Sequence, residues 1–481
     1  MRSAVFAVVT TLLLATAGLA SNVGDTCRYS IVESIPDGLN LTTLYKTSDA
    51  FIDLMSRTEK NLHIASFYWE LSHGDPKLGG DQGQRVFDEM INTAKRGVDI
   101  QITQTFPTAA FPQYDAFNLS DAGYAEVRSL DFSKLFGSGV LHTKMWIGDG
   151  KHAYVGSANT DWKSMSQVKE LGVYLEDCPE LVKDLESIFQ VYWQAAEMSF
   201  VPPRGGWASD MAATMNMQKP LDVAILNALT GKKENDAIFF AAAPPSFLPD
   251  GFSKDDDAIV GGIDDARESV CVEVMDYAPA SVYMPATFYW PSISDAFKRA
   301  AFNRQVEVRL LFGIWNHTTE EQYGFMKELQ SFGRMLSGNL SSPSTSARAS
   351  HQGRVLSEDE VAYRSRFAPP QEMLKYGATF GSLDVKVFKV PDDPKGVASF
   401  TRVNHAKFLV TDRVAYIGTS NWCADYFYTT AGVSANFRPL DVEDDQSHLR
   451  AHLQTIFDRD WNSEYAIELD AAIREFEQSR W

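Results

Sequence analysis

The chain has 481 residues, 44% of them apolar and 12% aromatic, with a formal net charge of −19 at pH 7. That apolar share excludes a disordered chain and supports one or two domains with a sizeable core. The acidic balance excludes a broad basic groove wrapped around duplex nucleic acid, so any positive field must be local.

Residues 1–20 read as a signal peptide. Met1-Arg2-Ser3 supplies a positive start, Ala4 to Leu14 a short apolar run, and small residues lead to Ala17 and Ala20. A spanning helix needs about 20 apolar residues, more than this run offers, so no stable membrane anchor is expected. The secretory route gives meaning to four Asn-x-Ser/Thr sites, at Asn40, Asn118, Asn316 and Asn339. It also puts the four cysteines in an oxidising compartment, where three full pairings are possible. Cys27 with Cys178 is favoured, because one starts the mature fold and the other ends a strand of the same half. Cys271 lies in an apolar strand-like run and reads as a buried thiol.

From Cys27 onward the chain is written twice. A stretch beginning Cys27-Arg-Tyr-Ser-Ile-Val resembles Ile238-Phe-Phe-Ala-Ala-Ala, and each is followed by a helical segment, Ser48 to Thr58 and Asp257 to Arg267. Apolar strands come next, Leu62 to Trp69 and Val270 to Tyr277, then a helix and a further strand in each half. Strands alternating with helices predict an α/β fold. It consists of two pseudo-symmetric halves, each a mixed β-sheet flanked by helices, forming one bilobal unit. The first half spans 21–205, a linker 206–235 and the second half 236–481. About 37 residues separate Thr105 from His142, whereas about 93 separate Phe312 from His405. The excess predicts an exposed, polar insertion at about 320–380.

The chemistry sits in a motif that also occurs twice, over 142–159 and 405–421. His142-Thr-Lys144-Met-Trp-Ile-Gly-Asp149 matches His405-Ala-Lys407-Phe-Leu-Val-Thr-Asp412, and small-residue turns follow, Gly156-Ser-Ala-Asn159 and Gly418-Thr-Ser-Asn421. In a strand, a histidine and a lysine two apart share a face. Two such pairs can hold one phosphodiester: lysines on the non-bridging oxygens, one neutral imidazole attacking phosphorus, the other protonating the leaving oxygen. Ser157, Asn159, Ser420 and Asn421 are candidate phosphate donors, and Asp149 and Asp412 read mainly as structural ties at the turns. Glu170, ahead of the strand beside the first motif, is the candidate partner for His142, with Thr430 at the matching place. That asymmetry casts His142 as nucleophile and His405 as general acid. No metal is assigned at the main site, since its cations are lysines; His448 and His452, four apart on a helix, are a second candidate pair but read mainly as solvent-facing.

These phrases identify the chain as resembling the phospholipase D superfamily. Ser-Phe-Tyr-Trp at 66–69, Leu-His-Thr-Lys at 141–144, Val-Lys-Glu-Leu-Gly-Val at 168–173 and Tyr-Ile-Gly-Thr-Ser-Asn-Trp at 416–422 are similar to its animal endolysosomal branch, types three and four. The resemblance implies a 5′-exonuclease on single-stranded DNA and RNA that releases 3′-mononucleotides without cofactor, as a homodimer in the lysosomal lumen or secreted. The chain departs from that branch in three ways: a cleavable signal replaces an anchor, Asp412 stands where Glu is usual, and the second-half insertion is long.

A nuclease needs aromatic faces for bases, and Tyr68, Trp69 and Tyr277 are the stacking candidates, at about 1–3 kcal/mol per stacked base. Two readings compete: a phospholipase or phosphatidyl transferase acting on lipid phosphodiesters, and an inactive glycosylated binding protein.

Overall fold

A computed structural model of the chain describes residues 27–202, 206–337, 380–440 and 448–479. The expected signal peptide falls outside these residues, as does Asn339. Among the described residues no helix is long and apolar enough to cross a membrane.

The duplication read in the sequence is a duplication of sheet topology. In the first half the strands lie side by side in the order Glu126–Leu130, Asp99–Thr105, Asn61–Ser66, Met145–Gly148, His152–Gly156, Glu170–Glu176 and Arg28–Ser34. The second half repeats this with Ser382–Lys389, Glu307–Ile314, Ser269–Val274, Lys407–Thr411, Ala415–Gly418, Gly432–Pro439 and Lys233–Ala243. In each order the first three strands are parallel, which requires crossovers, and the remainder are antiparallel, which hairpins satisfy. The crossover helix Gly80–Lys95 buries Val86, Met90 and Thr93, one helical face, against the sheet. Helix Ser292–Arg304 does the same in the second half with Ile293, Ala296, Phe297 and Ala300.

The inner faces of the two sheets share one apolar core. Met145, Ile147, Val155 and Val173 of the first half belong to the same cluster as Phe408, Val410, Ile417 and Val433 of the second. Burying each such side chain fully contributes about 1.5–3 kcal/mol, so the halves form one cooperative body. Backbone bonds close the seam beside each motif. His142 N–H donates to Ala431 O at 3.0 Å, and His405 N–H donates to Lys169 O at 2.7 Å.

Several expectations change. The linker 206–235 is not loose, because Leu221–Asn227 is a strand, parallel to Arg28–Ser34 and antiparallel to Lys233–Ala243, and it joins the two halves. Trp207, Met211 and Met215 are buried in the shared core. The insertion expected at about 320–380 opens with a helix, Glu320–Ser337, whose Met326, Leu329 and Leu336 pack into the second-half core. Residues 338–379 of it lie outside the described residues. His142 and Lys144 precede their strand, which starts at Met145, so the pair sits on the strand's leading edge. The Cys27–Cys178 disulfide is present, and Cys271 and Cys423 are buried thiols.

Candidate active site

Each motif strand runs antiparallel to the central strand of its half, so its histidine end lies at the C-terminal edge of the parallel strands. In open α/β sheets that edge is where ligands bind. The seam brings both edges together. The His142 and His405 rings stand 6.3 Å apart, centroid to centroid, at 61°. Both line one cavity of about 460 Å³ with Asn159, Glu170, Asp276, Asn421 and Thr430.

Each imidazole has an acceptor at Nδ1, which directs the tautomer and leaves Nε2 for chemistry. His142 Nδ1 lies 2.9 Å from the Thr419 carbonyl. His405 Nδ1 lies 2.8 Å from Glu170 Oε2. This corrects the expected Glu170–His142 pair. The carboxylate crosses the seam, because the Lys169–Val403 and His405–Lys169 backbone bonds hold Glu170 against the other half's histidine. Ser164 donates to the second Glu170 oxygen at 2.9 Å.

The lysines are fully buried just behind the cavity wall rather than lining it. Lys144 Nζ donates to His142 O at 2.6 Å, and Lys407 Nζ to His405 O at 2.5 Å. Burial, then the charges of Lys144, Lys407 and His405, holds His142 well below the ordinary imidazole value. His405 is also held well below it, by burial, Lys407 and Lys144. Burial lowers Lys407 to about 7 against the pull of Glu170 and Asp276, and drives Lys144 well down with help from Lys407. Burial raises Glu170 to about 7, opposed by Lys407 and by the hydroxyls of Ser157 and Ser164. A low-dielectric pocket with this many cationic groups is a site for an anion, which would restore the charged lysines.

Two carboxamides line the cavity with free acceptor atoms. The Asn159 and Asn421 side-chain oxygens are buried without a hydrogen-bond partner. Asn421 Nδ2 donates to Asp276 Oδ2 at 3.1 Å and to the Tyr426 hydroxyl at 3.0 Å.

Other candidates lie elsewhere. Asp149 accepts the backbone N–H groups of Glu59, Lys60 and Asn61, at 2.8–3.1 Å, at the far end of its hairpin. Asp412 does the same for Arg267, Glu268 and Ser269. Both tie the backbone and neither lines the cavity. Ser420 Oγ donates to buried Asp255, because it turns away from the cavity. Ser157 Oγ exchanges bonds with Leu171 behind Glu170, so it supports the carboxylate rather than the ligand. Trp69 and Tyr277 point into the cores, Tyr277 stacked on Phe312 at 5.1 Å, and are not stacking surfaces. Tyr68 does line the cavity, its hydroxyl held by Asp161 at 2.7 Å.

Sequence reasoning missed Asp276, Tyr426, Phe111, Tyr283, Trp315 and Phe400, all of which line the cavity. Tyr426 packs edge-on against His142 at 5.0 Å, and Phe67 tilts against it at 5.2 Å. Asp276 had a signal: it precedes Tyr277 as Tyr68 precedes Trp69, so it faces the site by strand parity. The loop aromatics have no such periodic signal.

Comparison with known proteins agrees with this geometry. A family model described as "PLD3/4, PLD-like domain" matches residues 40–342. Phospholipase D Z of Dictyostelium discoideum is 37% identical over 91% of this chain and 90% of its own length. The 5'-3' exonuclease PLD3 of Bos taurus is 35% identical over 93% of this chain and 82% of its own length. The 5'-3' exonuclease PLD4 of Mus musculus is 33% identical, over 95% and 82%. A solved phosphatidylserine synthase of Haemophilus influenzae shares the fold, with a TM-score of 0.51 at 10% identity, covering 90% of this chain and 91% of that one. With two complete motifs meeting in one cavity, this chain belongs to the phospholipase D superfamily, in its PLD3/4-like branch, and is a phosphodiesterase.

Proposed function

We propose that this phosphodiesterase is a 5′-exonuclease on single-stranded nucleic acid that releases 3′-mononucleotides through a phosphohistidine. The observation that carries this is the pair of Nδ1-anchored imidazoles facing each other across one ring-lined cavity. His142, held by a neutral carbonyl, stays neutral and attacks phosphorus through Nε2. His405 has a carboxyl partner, which supports it as imidazolium against the burial and lysine charges that push it down. It gives its proton to the departing 5′-oxygen as the P–O5′ bond breaks. The role assignment read from the sequence is thus kept, for the reverse reason. In the second step His405 takes a proton from water, the water oxygen bonds to phosphorus, and the P–N bond breaks to free the 3′-nucleotide. Lys144 and Lys407, with Asn159 and Asn421 beside them, stabilise the charge that develops on the non-bridging oxygens.

The walls favour a nucleotide. Phe67, Tyr68, Phe111, Tyr283, Trp315 and Tyr426 offer π-faces around a phosphate-sized centre. A lumenal or secreted, N-glycosylated protein fits the Cys27–Cys178 disulfide and the exposure of Asn40, Asn118 and Asn316. The second reading, a lipid phosphodiesterase, draws on the apolar side chains of Val168, Met275 and Val403 in the same cavity and on relatives named phospholipase D. A side-by-side assay decides between them. Purified protein is given a labelled 5′-hydroxyl oligonucleotide or labelled phosphatidylcholine at acidic pH. Release of 3′-mononucleotides with no choline or phosphatidic acid supports the nuclease; the opposite pattern overturns it.

A further inference from the structure

Outside the catalytic cavity, the seam between the halves holds a second cluster of ligating groups. Glu234 and Asp236 are two apart on strand Lys233–Ala243, so both turn to its buried side. His448 stands at the start of helix Leu449–Trp461 and is buried beside them, not solvent-facing as its helical spacing with His452 had implied. One atom from each of the three lies within 4.8 Å of the others.

Asp236 is the anomaly. It is 1% exposed, yet neither carboxylate oxygen accepts a hydrogen bond. Two other buried aspartates are fully satisfied. Asp184 takes N–H and O–H donors from Thr214 and an N–H from Met215. Asp425 takes the N–H groups of Val282, Tyr283 and Met284. A buried carboxylate without donors costs several kcal/mol unless a cation faces it.

The spacing identifies that cation. His448 Nδ1 lies 3.5 Å from Asp236 Oδ1 and 3.9 Å from Glu234 Oε2. A charge-assisted N–H···O bond would be about 2.7–2.9 Å, so these gaps are ion-pair distances too long for a hydrogen bond. Ligand atoms about 2.0–2.2 Å from one ion are roughly 3.3–3.6 Å apart on a tetrahedron, close to what is seen. The surroundings match an ordered ligand set. The Tyr29 hydroxyl donates to Glu234 at 2.7 Å, Asn227 Nδ2 donates to that hydroxyl at 3.0 Å, and Leu449 N–H donates to Glu234 Oε2 at 3.1 Å. Bonds of this kind orient ligating carboxylates.

We propose that Glu234, Asp236 and His448 bind a divalent transition ion of the zinc class, with solvent completing the coordination. The ion is structural. It pins the strand that opens the second half to a helix of that half, and through Tyr29 to the first strand of the first half. It stands apart from the phosphodiester chemistry.

The test uses full-length purified protein stripped with chelator, then titrated with zinc ion alone and followed by calorimetry and thermal melting. One ion per chain and a higher Tm are expected, with His142→Asn binding zinc as the wild type does. Asp236→Asn should lose binding, and Tyr29→Phe should weaken it about 10–100-fold. Anomalous scattering at the zinc edge from zinc-loaded crystals decides the matter without any variant. A peak against His448 Nδ1 is expected. No zinc uptake by the wild type, a peak elsewhere, or Asp236→Asn binding zinc normally would overturn the proposal.

Discussion

Glu170 and His405 belong to different halves of the chain, yet Glu170 Oε2 and His405 Nδ1 lie 2.8 Å apart in a buried contact. On the proposed mechanism neither half can assemble the acid alone, because the carboxyl group and the imidazole it contacts come from opposite copies of the repeat. Glu170→Gln should lower kcat on an oligonucleotide by about 10²–10⁴-fold. The loss should shrink sharply on a nucleoside 3′-(p-nitrophenyl phosphate), whose leaving group needs no proton. An equal loss on both substrates would mean that Glu170 acts through folding instead.

Turnover should favour acid. Lys407 has its pKa lowered to about 7 by burial, so it carries charge only below that value and loses it as pH rises. His142 is held below its ordinary value, so it stays neutral and nucleophilic well into the acid range. The kcat/KM profile should therefore show an alkaline limb near pH 7, where Lys407 loses its charge. Lys407→Arg should remove or displace that limb. A flat profile from pH 6 to 9 would contradict this electrostatic picture.

Aromatic residues divide into wall and core. Tyr426→Ala and Phe67→Ala should each cost about 1–3 kcal/mol in kcat/KM on single strands while barely moving Tm. Trp69→Ala and Tyr277→Ala should destabilise the fold by about 3–5 kcal/mol, since both are buried in cores. Kinetics and thermal melts on the four variants separate the two groups.

The seam rests on a buried ion network. Lys169 Nζ contacts Glu273 at 2.6 Å and Asp460 at 2.8 Å, all three with no exposed side-chain surface. Lys169→Met leaves Glu273 without its cation, while Asp460 keeps Arg459 at 2.9 Å, and should cost about 3–5 kcal/mol of stability. Denaturant unfolding of the variant measures it, and a change below about 1 kcal/mol would show that the network is not what locks the halves.

Much of this was legible in the sequence because it repeats. Duplicated strands, helices and turns announce the same topology twice, and both His–Lys pairs fell where the repeat put them. The partner of each histidine was not legible. It depends on which backbone pairs across the seam, Lys169 with Val403 and Ala431 with Val140, and no local pattern encodes that. Two misses had signals. Leu221-Asp-Val-Ala-Ile-Leu-Asn227 alternates as a strand should, burying Val223, Ile225 and Asn227. Glu320–Ser337 buries Gln322, Met326, Leu329, Gly333 and Leu336 at helical spacing. The Ser/Thr-rich tail of the same segment hid that helix. Wall aromatics such as Phe400 and Tyr283 come from loops, where neither period applies.

The most direct test of two histidines sharing one phosphorus is to trap the covalent intermediate. His405→Ala should be mixed with a nucleoside 3′-(p-nitrophenyl phosphate), quenched in base and mapped by mass spectrometry. A burst of p-nitrophenol with the nucleotide attached to His142 is predicted, and no adduct in His142→Ala. An adduct on another residue, or full turnover without either imidazole, would contradict the account.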